Sequence, residues 1–325
     1  RADGAGGFYF VNLLGSGVGC FAVTFVLQPI GAERLILLLL AVAAAAAALL
    51  AGHHAPKIRN ASLLTTLLIA VSLPWAERII PLEPDRLDQH AVYRSTYRAA
   101  GAGEPIREFA SWDPVARIEI HSWRGQVAKL PAPIEFKILT QDGGAASLLL
   151  GIGQDPDGGA NLFHGSLTGL PFAMRPKSDA LVIGVGGTGD VQAAHFFEAR
   201  HVTAVEINAA TVRAMTTQFA DFVGRSLLRP NVDVVVGDGR SFVRRTKKRF
   251  DVVSIPGVDT LTLQSSGSFV FAEEYLYTQQ AFRDYLSVLT KDGLLAVLRF
   301  QSEPMRLALM AAKALSDLGV ENPED

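Results

Sequence analysis

Hydrophobic residues along this chain fall into two textures. Up to Ile80 they form long unbroken runs, and beyond it short runs separated by polar and glycine-rich breaks. The first long run, "FYFVNLLGSGVGCFAVTFVL" from Phe8 to Leu27, is uncharged. About 20 apolar residues in a helix suffice to cross a hydrocarbon core. Gly15 and Gly19, with Ser16 and Gly17 beside them, form the small-residue step that lets membrane helices approach closely. The second run, "LILLLLAVAAAAAALLAG" from Leu35 to Gly52, is also uncharged. A helix buried in a large soluble core is the alternative, but soluble helices rarely carry so long an apolar run without a polar face. The third, "ASLLTTLLIAVSLPWA" from Ala61 to Ala76, is shorter and contains Pro74; it spans, tilts, or lies in the interface with Trp75 at headgroup level.

Pro81 and Pro84 mark a boundary, followed by a polar arm, "LDQHAVYRSTYRAAG". Then "ARIEIHSW", "IEFKILTQDGG" and "AASLLLGI" read as strands. Arg117, Ile118, Glu119 and Ile120 alternate as a half-buried strand does, and Asp142-Gly143-Gly144 supplies a hairpin turn. From Asp179 strands without a polar face alternate with helices. The strands are "DALVIGV", "HVTAVEIN", "VDVVVGDG", "FDVVSIPG" and "GLLAVLRF". The helices are "GDVQAAHFFEA", "AATVRAMTTQFADFVG", "RSFVRRTKK" and the long "EYLYTQQAFRDYLSVLT". That pattern predicts an α/β sheet covered on both faces. The expected organisation is membrane helices over 1–80, a linker and arm over 81–110, a small β-rich domain over 111–175 and a nucleotide-binding domain over 176–325.

Composition narrows the classes of partner. The 325 residues carry 30 basic and 32 acidic side chains, for a net charge of −2, which argues against wrapping nucleic acid. The basic run Arg244, Arg245, Lys247, Lys248 and Arg249 reads as a solvated helix end. Cys20 is the only cysteine, so the chain has no internal disulfide and no thiolate metal cluster. No other histidine or acid shows metal-ligand spacing, and no metal is expected. The text opens without Met or a basic n-region. The expectation is a chain that begins partway through a longer membrane protein rather than with a cleaved signal peptide.

The candidate chemistry sits where the first three parallel strands end. Gly184, Gly186, Gly187 and Gly189 follow the first strand directly, where glycine permits a sharp turn and a close ligand approach. Glu206 ends the second strand, placed to accept from both hydroxyls of a ribose. That contact does not separate a dinucleotide from an S-adenosyl compound. Asp238 and Gly239 follow the third strand, where an acid can receive the exocyclic amino group of an adenine; Asp238 as a plain turn former before a helix stays open. One adenosyl ligand accounts for all three positions.

From Trp112 onward the chain resembles the spermidine synthase branch of the class I S-adenosylmethionine-fold enzymes, in particular the membrane-integral bacterial members. The resemblance rests on "ASWDPVARIEI", "QDGGAASLLLG", "LVIGVGGTGDVQAA", "VTAVEIN", "VVVGDGRSFVRRTKKRFDVV" and "FAEEYLYTQQAFRDYLSVLTKDGLLAVLRF". "FYFVNLLGSGVG" resembles the end of the membrane region in such proteins. It implies a Rossmann-like class I methyltransferase sheet preceded by a small antiparallel β-domain and N-terminal transmembrane helices. By position, Gly184 through Asp190 would surround the donor's methionine-derived part, with Asp190 placed to exclude a donor carboxylate. Glu206 would hold the ribose and Asp238 the adenine. Gln141 and Asp142 resemble strand-edge elements near the pocket. In the soluble members a D-x-x-D pattern follows the fourth strand and its first acid is the base. Here Pro256 stands at that position and Asp259 at the second. Proline cannot titrate, which leaves Asp259, then Glu273 and Glu274, as substitutes; the two glutamates also fit helix capping. Tyr277 fits an acceptor-pocket lining or an ordinary packed aromatic. Tyr93 and Tyr97 fit a cover over the cleft, and His164 a pocket residue or a cap.

The leading reading is a membrane-anchored transferase. It would move an aminopropyl or related group from decarboxylated S-adenosylmethionine, or a close relative, to a small-molecule amine. The alternatives are a methyltransferase using S-adenosylmethionine on a membrane-near acceptor, and a non-catalytic nucleoside-binding membrane protein. A NAD-dependent oxidoreductase ranks below these because it leaves Asp238 unexplained. Expected partners are the small-molecule acceptor and membrane lipid, with a homo-oligomer or membrane complex open, and no nucleic acid. The expected location is a multi-pass membrane protein with a cytoplasmic C-terminal domain, since the ligand is a cell-made nucleoside. The loop charges Lys57 and Arg59 oppose that orientation if the third run spans.

Overall fold

The computed structural model describes residues 3–82, 105–123, 135–142, 145–152, 162–258, 275–299 and 304–320. The chain divides into two compact units, Arg1–Arg86 with Ser111–Pro114, and Leu87–Ala110 with Val115–Asp325. In the first, the long apolar runs are helices: α1 (Asp3–Ile30), α2 (Ala32–Ala51) and α3 (Pro56–Ser72), followed by a 3-10 turn at Leu73–Trp75 and the short α4 (Ala76–Ile79). The first two runs separate at Gly31, whose φ of 81° ends α1. Three segments, Gly6–Ile30, Ala32–Ala51 and Pro56–Ile79, are long and apolar enough to cross a membrane. Within this unit the Trp112 indole donates at 2.9 Å to Glu33, a buried carboxylate in the first turn of α2.

The second unit holds two sheets. Four strands come first, β1 (Pro105–Trp112, whose last two residues count with the first unit), β2 (Arg117–Trp123), β3 (Phe136–Gln141) and β4 (Ala145–Leu150), ordered β1-β2-β3-β4, with β2–β3 and β3–β4 antiparallel. β1 includes Pro105–Ala110, which the sequence assigns to the linker; its "REFASW" lacks a clean alternation. Asp142 closes the β2–β3 pairing rather than pointing to a ligand. Its amide donates to the Arg117 carbonyl at 2.8 Å, and its Oδ1 accepts from the Arg117 amide at 2.7 Å.

The parallel sheet follows α5 (Leu170–Met174). Its elements are β5 (Asp179–Ile183), α6 (Gly189–Phe196), β6 (His201–Glu206), α7 (Ala209–Thr216), β7 (Val232–Val236), α8 (Gly239–Arg245), β8 (Phe250–Pro256), α9 (Gln279–Ser287), β9 (Leu289–Leu298) and α10 (Pro304–Asp317). The strand order is β7-β6-β5-β8-β9, and each neighbouring pair is parallel. Alternate residues of one strand serve opposite faces. Ala180, Val182 and Val252 pack with α6, α7 and the small sheet through Val191, Ala214, Met215, Ile118, Ile120 and Leu149. Leu181, Ile183, Val253 and Ile255 pack with α8, α9 and α10 through Val243, Phe282, Tyr285 and Leu307. Both faces are covered, so the strands need no polar positions. Each such valine, leucine or isoleucine side chain contributes about 1.5–3 kcal/mol by leaving water.

Two helices are shorter than the sequence predicts. α7 ends at Thr216, and the residues after it form turns. α9 starts only after Thr278, which caps it by accepting from the Ala281 amide at 3.1 Å. Its expected last turn enters β9 instead.

Candidate functional site

The turn after β5 is shaped by what lies against it. Gly184 has φ 87° and Gly186 φ 46°, conformations that L side chains rarely adopt. A Cβ on Gly184 would lie 1.9 Å from Val258 Cγ1, and one on Gly187 2.0 Å from the Leu148 carbonyl oxygen on β4. Leu149 and Thr188 also form a β-bridge. Gly186, against Ser147, and Gly187 therefore let the small sheet dock directly on the turn, while Gly184 makes room for Val258. Gly189 differs: its Cβ would meet only Thr168, at 4.0 Å. Gln141 lies on the sheet face that meets the turn, because it pairs with Ala145 as Leu139 pairs with Ser147, and Ser147 lies against Gly186.

Main-chain bonds hold the ends of β5, β6 and β7 together. The Gly184 amide donates to the Val205 carbonyl, and the Gly237 amide to the Glu206 carbonyl, each at 2.8 Å. Glu206 is buried at the end of β6. Its Oε2 accepts from the amides of Val185 (3.0 Å) and Gly186 (3.1 Å), and its Oε1 from the Asn208 amide (2.9 Å). Burial outweighs these bonds and raises its pKa above the ordinary carboxylate value. A carboxylate has about four acceptor sites. With the Ile207 amide as a fourth donor those sites are taken, and a grip on a ribose hydroxyl requires sharing or displacing an amide.

Asp238, after β7, caps α8: its Oδ1 accepts from the Ser241 amide at 2.7 Å. The cap role left open by the sequence is thus filled by one oxygen, and Oδ2 has no partner among the described residues. Gly239 packs on the sheet; its Cβ would lie 2.3 Å from Ile183 Cγ2. Ile207, between the Glu206 and Asp238 loops in sequence, is 43% exposed, an apolar residue at a strand end that sequence reasoning passed over.

Asp190 sits differently from expectation. Asp190 does not extend from the turn toward a donor tail. Helical phase directs its carboxyl against β8, where Ser254 Oγ donates to Oδ1 at 2.7 Å. Burial pushes its pKa up to about 7. Tyr277 is a packed aromatic: its ring is buried in the core beside β5 and β8, with the Arg299 guanidinium 4.3 Å from the ring centroid. Tyr275 is the more exposed of the two, at 37%. The His164 ring packs edge-on against Phe196 and Phe197 at 5.2 and 5.4 Å. Pro256 ends β8 opposite Leu298. Asp259, Glu273, Glu274, Tyr93 and Tyr97 lie outside the described residues. Among the described residues no cluster of metal-binding side chains occurs.

Known proteins resemble part of this chain. A polyamine aminopropyltransferase of Sulfolobus acidocaldarius is 25% identical over 41% of this chain and 42% of its own length. One of Alkaliphilus oremlandii is 26% identical over 41% and 44%. The chain thus spans less than half the length of these curated relatives. A crystal structure of spermidine synthase from Thermotoga maritima aligns with 16% identity over 65% of this chain and 63% of that chain, at a TM-score of 0.47. Residues 161–317, the stretch holding the glycine turn, Glu206 and Asp238, match the spermine/spermidine synthase domain.

Proposed function

We propose that this chain is a membrane-anchored aminopropyltransferase-like enzyme. It takes a decarboxylated S-adenosylmethionine-type sulfonium as donor and a small-molecule amine as acceptor. The observation that carries this reading is a pair of acids at neighbouring strand ends. Glu206 ends β6 beside the glycine turn, and Asp238 follows β7, the strand paired with β6. An adenosyl group can use both, its ribose at Glu206 and its adenine at Asp238, whereas a dinucleotide has no general need of the second acid. The oxygen of Asp238 not used in capping suits the amino group of an adenine.

The reaction is a displacement. The amine lone pair forms a C–N bond at the carbon next to sulfur while the C–S bond breaks and its electrons stay on sulfur, leaving a neutral thioether. The nitrogen then gives up a proton. The donor is already activated, so alignment dominates the barrier. Asp259, Glu273 and Glu274 are the candidate proton acceptors because Pro256 cannot serve. The apolar N-terminal helices act as a membrane anchor, and the transferase unit works on the cytoplasmic side, where such nucleosides are made.

Pro256 favours one second reading, a methyltransferase that needs no amine-binding acid at that position. Incubating the detergent-solubilised chain with each donor and a panel of diamines, followed by mass spectrometry, separates the two. An amine gaining an aminopropyl group, with the matching thioether, supports the first. A methylated product from membrane extract supports the second, and neither product counts against both.

A further inference from the structure

Arg240 follows Asp238 and Gly239 in the first turn of α8, and it is only 8% exposed. Its contacts reach the segment that opens α9. Nε donates to Asp284 Oδ2 at 2.9 Å, and Nη1 donates to the Tyr275 carbonyl at 3.0 Å and to Thr278 Oγ1 at 3.4 Å. The guanidinium also lies 4.2 Å from the centroid of the Tyr275 ring. Tyr285 Oη donates to the next carbonyl, that of Leu276, at 3.0 Å. Two consecutive carbonyls are thus held by side chains, and one of those side chains comes from the donor-side loop. The planar fork of arginine can pair with a carboxylate, bond a carbonyl and stack on a ring together; lysine cannot.

This clamp sorts the two tyrosines of "YLYT". Tyr277 turns into the core, while Tyr275 stays 37% exposed with Arg240 against its ring. We propose that Arg240 is a positioning residue that fixes Tyr275 relative to the Asp238–Gly239 loop, and that Tyr275, not Tyr277, is the aromatic this turn presents to the acceptor. The proposal rests on the transferase reading above. One side chain sets the spacing between the adenine end of the donor loop and the acceptor-side ring before either substrate arrives. A cationic amine gains from an aromatic partner held in this way, and small misplacements of reacting groups are costly in rate.

The test uses the whole chain in detergent with R240A, R240K, Y275A and the R240A/Y275A double variant. Donor affinity is expected to stay within about twofold of wild type in all four, while acceptor kcat/KM falls about tenfold or more in each of R240A and Y275A. The double variant should lose no more than about twofold beyond the worse single, because the residues act as one unit. R240K should recover part of the loss. Additive losses, acceptor kinetics unchanged in Y275A, or a fall in donor affinity matching the fall in kcat/KM would overturn the proposal. Absence of transfer by the wild type would instead defeat the transferase reading. Hydrogen exchange at the Leu276–Ala281 amides then decides the clamp by itself: faster exchange in R240A with R240K between it and wild type upholds it, and unchanged exchange overturns it.

Discussion

Ser254 on β8 donates a hydrogen bond at 2.7 Å to Asp190 in the first turn of α6, and both residues are buried. Burial raises the Asp190 pKa from 3.8 to about 7. Between those values the folded chain holds a proton that the unfolded chain has released. The stability from this group is therefore fully present below the lower value and is lost as pH rises to the upper one, by on the order of 4 kcal/mol. Asp190→Asn keeps an acceptor for Ser254 and removes the titration. Its thermal midpoint above pH 7 should exceed that of wild type, and an equal midpoint would show that Asp190 is not the buried acid described here.

His195 acts with the opposite sign. Its Nε2 lies 3.0 Å from the Ser226 carbonyl, and burial lowers its pKa from 6.5 to about 4. Its contribution is full above the unfolded value and is lost as pH falls toward the folded one, by on the order of 3 kcal/mol. The two slopes oppose each other over the acidic range. Melting curves from pH 4 to 6.5 should therefore fall with pH in His195→Gln, rise with pH in Asp190→Asn, and vary least in wild type. Parallel slopes in the two variants would contradict these assignments.

Gly187 and Gly189 should respond differently to alanine. At Gly187 the new methyl would meet the Leu148 carbonyl on β4, and at Gly189 only Thr168, at van der Waals distance. Gly187→Ala is expected to destabilise by about 1–3 kcal/mol through overpacking. Gly189→Ala, at the start of α6, should be neutral or stabilising by up to about 1 kcal/mol. Chemical denaturation of the two variants checks the order, and a reversed order would mean that β4 does not rest on this turn.

Glu206→Ala removes the acceptor for the backbone amides of Val185, Gly186, Ile207 and Asn208 at once. It should lower the melting temperature and cost about 1–3 kcal/mol. Donor binding should be lost as well, because the turn loses its pin and its buried charge together. Retained donor affinity in a folded Glu206→Ala variant would remove this residue from the site.

The parallel sheet was legible because strands covered on both faces are written as apolar runs, as in "DALVIGV" and "HVTAVEIN". β1 was not, since Arg107, Glu108 and Ser111 interrupt its apolar residues. The order of glycine turn, Glu206 and Asp238 could be read from position along the strands. The use of Glu206 by turn amides could not, because it depends on the path of residues 185–186 folding back on β6. Helical phase, invisible in spacing alone, turned Asp190 inward toward Ser254. Thr278 caps a helix that begins later than "EYLYTQQAF" suggests, and of the two tyrosines before it Tyr275 is exposed and Tyr277 buried.

A calorimetric titration of the solubilised chain with decarboxylated S-adenosylmethionine and with NAD tests most directly whether the strand ends at Glu206 and Asp238 receive a sulfonium-bearing adenosyl ligand. The sulfonium should saturate one site per chain and NAD should give no saturable heat. Saturation by NAD, with none by the sulfonium, would contradict the account.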